Sequence, residues 1–410
     1  MITNLAERLV RRLWPDGFVS VVVAFITLAA AAPAPVGLPP AFYAAWRNGP
    51  SADPNFFPIA VWLQDPKNAD RYKTAGFNTY VGLWEGPTEE QLATLKKFGL
   101  RVICEQNAVA LRHLDDPTIC AWMHGDEPDN AQELPDKQGY GPPVAPEKIT
   151  ADYDRIKQAD PSRPVMLNLG QGVAWDGWYG RGVRSNHPED YPLYLKGADI
   201  ASFDIYPVNH DRAEIANKLW FVAHGVDRLV DWGADKKITW NCIECTRIGD
   251  VDRKPTPAQV KAEVWMSLIH GSQGLIYFVH QFKPTFREAA LFDDAAMLAG
   301  VTVLNKQIQS LAPALNSPTV HGAATVKSSN PDVPVDILVK REGGATYIFA
   351  VAMRDAETVA TITLTNAAGS QKVEVLGEGR APEMTTGVLS DQFAPWAVHL
   401  YRITDPLAKP

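Results

Sequence analysis

Cysteine is scarce. Four residues, Cys104, Cys120, Cys242 and Cys245, are spread through 410, too few for a disulfide framework in so long a chain. Stability must then come from an apolar core, which a chain of this size buries without difficulty. Positive charge is also in short supply. The net charge of −8 argues against nucleic acid or an anionic membrane surface as a partner. No apolar run reaches the ~20 residues of a membrane span; the longest, Phe18 to Ala32, has roughly 15. Internal repeats are missing, and low complexity is confined to an Ala/Pro stretch at 29–40. What remains, 46% hydrophobic and 21% charged residues, is an ordinary globular composition.

The N-terminus differs in kind from the rest. Arg8, Arg11 and Arg12 precede the apolar run, and small residues such as Ala30 and Ala32 follow it. That order predicts an export signal, with an uncleaved N-terminal anchor as the alternative. A secreted or periplasmic protein with no stable membrane association after cleavage is therefore expected. Export permits disulfides. Cys104 and Cys120 fall on adjacent predicted strands and are candidates to pair. "CIEC" at 242–245 has the spacing of a metal or redox half-motif. On a strand, however, residues three apart point to opposite faces, so these two are expected to be free and buried.

From residue 57 onward, short apolar runs alternate with amphipathic stretches. Strands are predicted at 57–64, 77–84, 101–107, 119–128, 164–170, 200–207, 237–246 and 274–281, with helices between most of them. Eight such runs predict parallel strands, and their continuous apolarity fits strands covered on both faces. The span matches a (β/α)8 TIM barrel. A doubly wound sheet is disfavoured because no Gly-rich phosphate loop follows the first strand. After residue 317 the texture changes to short alternating strands around turns, predicting an antiparallel β-sandwich. The expected organisation is 1–36 signal or anchor with its Ala/Pro tail, 37–317 barrel, and 318–410 C-terminal sandwich.

In such a barrel the active site lies at the C-terminal ends of the strands, and polar residues do gather there. Gln106 and Asn107 end the third run, Asp126 and Glu127 the fourth ("WMHGDEPDN"), and Asn168 the fifth. Asp204 and Tyr206 are late in the sixth ("FDIYP"), Glu244 late in the seventh ("TWNCIECT"), and His280 and Gln281 end the eighth. Glu244 stands among residues that favour burial, where an ionised carboxylate is costly without partners. An ion pair with Arg247 would explain it structurally; a nucleophile facing Glu127 would explain it functionally. Two carboxyl groups across a sugar are the machinery of glycoside hydrolysis. A separation of about 5–5.5 Å gives retention and about 6.5–9.5 Å inversion.

"DEP" on strand four, Glu244 on strand seven, Tyr206 in "FDIYP" and the C-terminal "FAPWAVHLYRI" together resemble the clan A glycoside hydrolases. The resemblance implies a TIM barrel with Glu127 as acid/base and Glu244 as nucleophile, a secreted retaining β-glycosidase acting by double displacement on oligo- or polysaccharides. Tyr206 would hydrogen-bond the nucleophile. Asp126 departs from the clan's usual Asn. An ionised Asp can only accept hydrogen bonds, and its charge would raise the pKa of Glu127. The same Asp126–Glu127 pair resembles that of N-acetylhexosaminidases that use the substrate's own acetamido group as nucleophile. A catalytically inactive carbohydrate-binding barrel is the reading from another class. Asn168, Asn107, His280, Trp62 and Trp84 are expected substrate contacts, with Trp175 and Trp178 in the strand-five insertion. No cofactor or metal is expected, since no H-x-H follows strand one and the nine histidines are scattered.

Overall fold

The computed structural model describes residues 42–404, apart from 235, 366 and 368; the segment read as an export signal lies outside them. Parallel strands β1 (Ile59–Trp62), β2 (Thr79–Val81), β3 (Arg101–Cys104), β4 (Ile119–Met123), β5 (Val165–Leu169) and β6 (Ile200–Phe203) follow one another in the sheet. The seventh stave is broken at Trp240. Its first part, β7 (Ile238–Thr239), pairs with β6, and its second, β8 (Asn241–Glu244), pairs with β9 (Leu275–Phe278), which returns to β1. The break passes the chain between its two neighbours and closes the barrel. This is the expected TIM barrel, with the predicted strands each trimmed by a few residues.

Both strand faces are apolar, as the continuous runs implied. Ala60, Ile103, Ala121, Met166, Ile200 and Ile276 fill the interior, and Tyr43 joins them, its hydroxyl accepting from Trp240 Nε1 at 2.9 Å. Val61, Val102, Trp122, Leu167, Ile243 and Tyr277 face the surrounding helices. These are α1 (Ala69–Thr74), α2 (Glu89–Lys97), α3 (Pro146–Ala159), α4 (Trp220–Gly233), α5 (Pro257–Ile269) and α6 (Ala295–Ser310). Capping boxes start two of them. Thr88 with Gln91 opens α2, and Thr256 with Gln259 opens α5, each satisfying backbone N–H groups that the first turn leaves free. Helix α4 begins only at Trp220. The preceding residues form a loop tied to the barrel mouth.

The two alternating faces also decide the cysteines. All four are free and buried. The expected Cys104–Cys120 pairing does not form: Cys104 points outward to the helices and Cys120 into the barrel. Cys242 points inward and Cys245 outward, the opposition that excludes a shared metal.

The C-terminal unit is an antiparallel sandwich. One sheet runs β10 (Ala324–Ser328), β13 (Thr358–Leu364), β17 (Val388–Phe393), β16 (Glu383–Thr385), β14 (Ser370–Lys372). The other runs β11 (Val335–Glu342), β12 (Ala345–Ala352), β18 (Val398–Thr404), β15 (Glu374–Val375). The strand within "FAPWAVHLYRI" is β18, central in its sheet. The second sheet packs on the barrel through α5, where Trp265 meets Phe349 at 5.0 Å between ring centroids.

Candidate active site

A cleft of about 1280 Å³ opens at the C-terminal mouth of the barrel. Trp62, Trp84, Asp126, Glu127, Asn168, Tyr206 and His280, from six different staves, all line it, and Trp178 does as well. Glu244, Asn107 and Trp175 do not.

Glu127 follows β4 in a left-handed backbone conformation, φ +43°. Such a conformation costs a non-glycine residue about 1–3 kcal/mol and persists only where its surroundings hold it. Here its backbone N–H donates to Asn168 O at 3.2 Å, and its carbonyl accepts from Asn130 N at 3.0 Å. Asn130 also donates from Nδ2 to Glu127 Oε2 at 2.8 Å, and is itself oriented by Trp178 Nε1, which donates to Asn130 Oδ1 at 2.8 Å. Below the turn, the buried Asp129 accepts from Gly170 N at 2.9 Å and from Tyr191 OH at 3.0 Å. The turn that presents Glu127 is thus held from β5 and from the insertion that follows it.

Across from Glu127 lies Asp204, just past the end of β6. Ser202, Asp204 and Tyr206 alternate onto one face. Ser202 Oγ donates to Asn168 Oδ1 at 2.8 Å, and Asn168 Nδ2 donates to Asp126 Oδ1 at 2.9 Å. Glu127 and Asp204 stand close enough for each to shift the other's proton affinity. Burial, together with the charge of Asp204 and the hydrogen bond to it, raises the Glu127 pKa well above the usual carboxylate range. Burial pushes Asp204 up to about 7, opposed by the hydrogen bond from Glu127. Burial and the neighbouring carboxylate thus favour the protonated form of Glu127. Asp126 is also raised, chiefly by burial, yet like its two neighbours it keeps an accessible edge toward the cleft. Tyr206 stands beside Asp204 rather than serving Glu244, whose oxygens are met by other donors.

Glu244 is elsewhere in chemical terms. It is 0% exposed. Its Oε1 accepts from Val208 N at 2.6 Å, and its Oε2 accepts from Asn209 N at 2.9 Å and from Asn209 Nδ2. On its other side lies the buried Glu263 of α5. Burial pushes Glu244 up to about 7 against the pull of these donors, and pushes Glu263 well above the carboxylate range. The expectation that Glu244 faces Glu127 across the cleft is corrected: the loop after β6 and α5 seal it in. No ion pair to Arg247 forms among the described residues. Instead Glu244 fixes Asn209, whose Oδ1 accepts from Ile248 N at 2.9 Å; Ile248 O in turn accepts from Phe282 N at 2.8 Å. Glu244 thereby knits together three loops of the mouth.

Asn107 is corrected too. It donates from Nδ2 to Pro87 O at 2.9 Å and accepts from Ala110 N at 2.9 Å, bracing the loop after β3. His280 lines the cleft with its ring held at Nε2 by Gln64 Nε2 at 3.1 Å; burial lowers its pKa to about 4, so it is neutral. Asp204, noted at the end of the sixth run but given no role there, belongs to the cleft. The signal for it was present: it stands two residues before Tyr206, hence on the same strand face. Phe278, Phe282, Phe286 and Gln171 also line the cleft. Among the described residues no cluster of His, Cys, Asp and Glu has the geometry to hold a metal ion, and no helix is long and apolar enough to cross a membrane.

No family model matches the chain. A curated protein named "Probable mannan endo-1,4-beta-mannosidase A-1" of Aspergillus terreus is 26% identical over 153 residues, 37% of this chain. The match spans 38% of that relative's own length. Among solved structures, a variant of AmyP in complex with maltotriose has a TM-score of 0.52 at 13% identity, over 87% of this chain and 98% of that one. An alpha-amylase from Geobacillus thermoleovorans complexed with acarbose gives 0.51 at 10% identity, over 86% and 99%. MutB in complex with sucrose gives 0.51 at 12% identity, over 87% and 100%. At these identities the likeness establishes the fold, and it extends over nearly all of the described chain.

Proposed function

We propose that the chain is a retaining O-glycosidase in which Glu127 is the acid and base. One observation carries the reading. Glu127 and Asp204 stand together on the wall of an open, aromatic-lined cleft at the C-terminal end of a TIM barrel, in surroundings that favour a proton on Glu127. A carboxylic acid kept protonated near neutrality is what donation to a leaving glycosidic oxygen requires. The carbohydrate ligands named for the structural neighbours, and the mannosidase relative, point to the same class of substrate. Export rests on the N-terminal order of basic, apolar and small residues, and N-terminal sequencing of the protein from fractionated cells tests it.

The nucleophile is the substrate's own acetamido group in this reading. Retaining double displacement by two enzyme carboxylates needs them about 5–5.5 Å apart. Glu127 and Asp204 stand side by side and each shifts the other's proton affinity, which makes them one proton-holding unit rather than a flanking pair, and Glu244 is sealed away. Asp126 then gains a role. Held at Oδ1 by Asn168 and open to the cleft, it accepts the acetamide N–H as the carbonyl oxygen attacks the anomeric carbon. Glu127 protonates the departing oxygen as the glycosidic bond breaks. A cyclic oxazolinium forms, and water opens it, giving its proton to Glu127. Asp204 keeps the proton on Glu127 at rest.

Aryl 2-acetamido-2-deoxyglycosides and their 2-hydroxy counterparts, assayed side by side, test the proposal. Turnover confined to the acetamido series, inhibition by a thiazoline analogue and loss of turnover in Glu127→Gln are expected. Covalent labelling of a cleft carboxylate by a 2-deoxy-2-fluoro glycoside would replace substrate assistance with an enzyme nucleophile. Turnover unchanged in Glu127→Gln would sink both mechanisms.

A further inference from the structure

We infer that the cleft binds a chain of several sugar units, and that a stair of aromatic rings leading outward from the carboxyl cluster supplies its distal subsites. The inference rests on the glycosidase reading for the identity of the ligand and goes beyond it in substrate size. Four rings form the stair. Tyr206, which lines the cleft with Asp204, lies 5.2 Å from Phe278, which lies 6.2 Å from Phe282, itself 5.8 Å from Phe286. Exposure rises along this path. The first two rings are half-buried, whereas Phe282 is 51% and Phe286 60% exposed.

The outer rings are not on a loose loop. Gln281 and Arg287 pair as an antiparallel bridge, with Gln281 N to Arg287 O at 2.9 Å and the reverse bond at 2.8 Å. This small hairpin carries Phe282 and Phe286, and His280 stacks parallel to Phe282 beneath it. Trp84, 67% exposed, also lines the cleft, its carbonyl oxygen accepting from Gln91 Nε2 of α2 at 3.0 Å. Large apolar rings held rigidly in water are costly unless something covers them, and flat rings lining a cleft suit the apolar faces of sugars. The size agrees. Sites for single small molecules run about 300–1,000 Å³, and this one exceeds them.

The test uses the full chain carrying Glu127→Gln, so that ligands survive. Chitin oligosaccharides and manno-oligosaccharides of increasing length are titrated by calorimetry. In at least one series affinity should rise about tenfold or more from the dimer to the pentamer, about 1.4 kcal/mol. Adding Phe286→Ala should remove most of that gain from long oligomers and leave the dimer unchanged, while Phe286→Tyr, which keeps a ring, should restore it. Affinity independent of length in both series, no binding in either, or an equal loss on short and long ligands in Phe286→Ala would overturn the inference. The two readings fail separately. Aryl-glycoside turnover by the unmodified protein without length-dependent binding removes the distal subsites alone, and length-dependent binding without any turnover removes the glycosidase alone.

Discussion

Two pairs of carboxylic acids sit near the mouth of this barrel, and they differ in what surrounds them. Glu127 and Asp204 stand beside a cleft that a substrate can enter. Glu244 and Glu263 lie in a sealed layer between the barrel and α5, where Glu244 is met by backbone and side-chain N–H donors. Both pairs contain groups raised to about 7 or beyond. A perturbed pKa therefore does not identify a catalytic acid here. Access does. The donors around Glu244 satisfy it and spend it on holding loops in place, whereas Glu127 and Asp204 line an open cleft.

The largest expected effect separates the pairs by chemistry. Glu127→Gln should lower kcat/KM on a substrate with a poor leaving group by about 10²–10⁴, the usual worth of a general acid, without lowering the thermal midpoint. Asp126→Asn should cost less, on the order of tenfold to a hundredfold, and only on acetamido substrates, because an amide still positions the group but stabilises the developing positive charge poorly. Comparing kcat/KM on acetamido and 2-hydroxy aryl glycosides checks it.

The sealed pair should act on stability instead. Glu263 has its folded pKa raised above its unfolded value. Its contribution is therefore fully present below the unfolded value of about 4.3 and is lost as pH rises toward the folded one. Glu244, raised to about 7, follows the same sign over the window from its unfolded value to neutrality. The protein should lose stability between about pH 4 and 7 and continue to lose it above. Glu263→Gln supplies a permanent donor to Glu244 and should flatten that slope, gaining about 1 kcal/mol at pH 8; denaturant titrations at several pH values read this directly. The smallest effect belongs to Asn107. Asn107→Ala should cost about 1 kcal/mol of stability through its lost loop bonds and leave kcat/KM unchanged, which would confirm that it braces rather than binds.

Much of this was legible from residue order. The staves were readable because strands covered on both faces must be apolar throughout, and the cysteine orientations followed from strand alternation. Asp204 was visible at the end of the sixth run, and its alternation with Ser202 and Tyr206 puts it on the cleft face. Glu244 could not. A carboxylate satisfied by buried N–H groups and one awaiting a substrate look alike in sequence, because the donors come from Val208 and Asn209, some 35 positions away. Asn107 at a strand end had the same ambiguity. The break at Trp240 was likewise hidden, since "KITWNCIECT" is apolar on both sides of it. The aromatic stair was obscured for another reason: Phe282 and Phe286 follow the last strand in what reads as an ordinary loop, and only the Gln281–Arg287 bridge turns them onto one wall.

The pH dependence of kcat/KM for the unmodified protein, Asp204→Asn and Glu244→Gln, measured on one aryl glycoside, tests the central comparison most directly. Removing the charge of Asp204 should let Glu127 lose its proton more readily, so the alkaline limb of Asp204→Asn should move to lower pH while that of Glu244→Gln stays in place. An alkaline limb that moves in Glu244→Gln and stays fixed in Asp204→Asn would contradict the account.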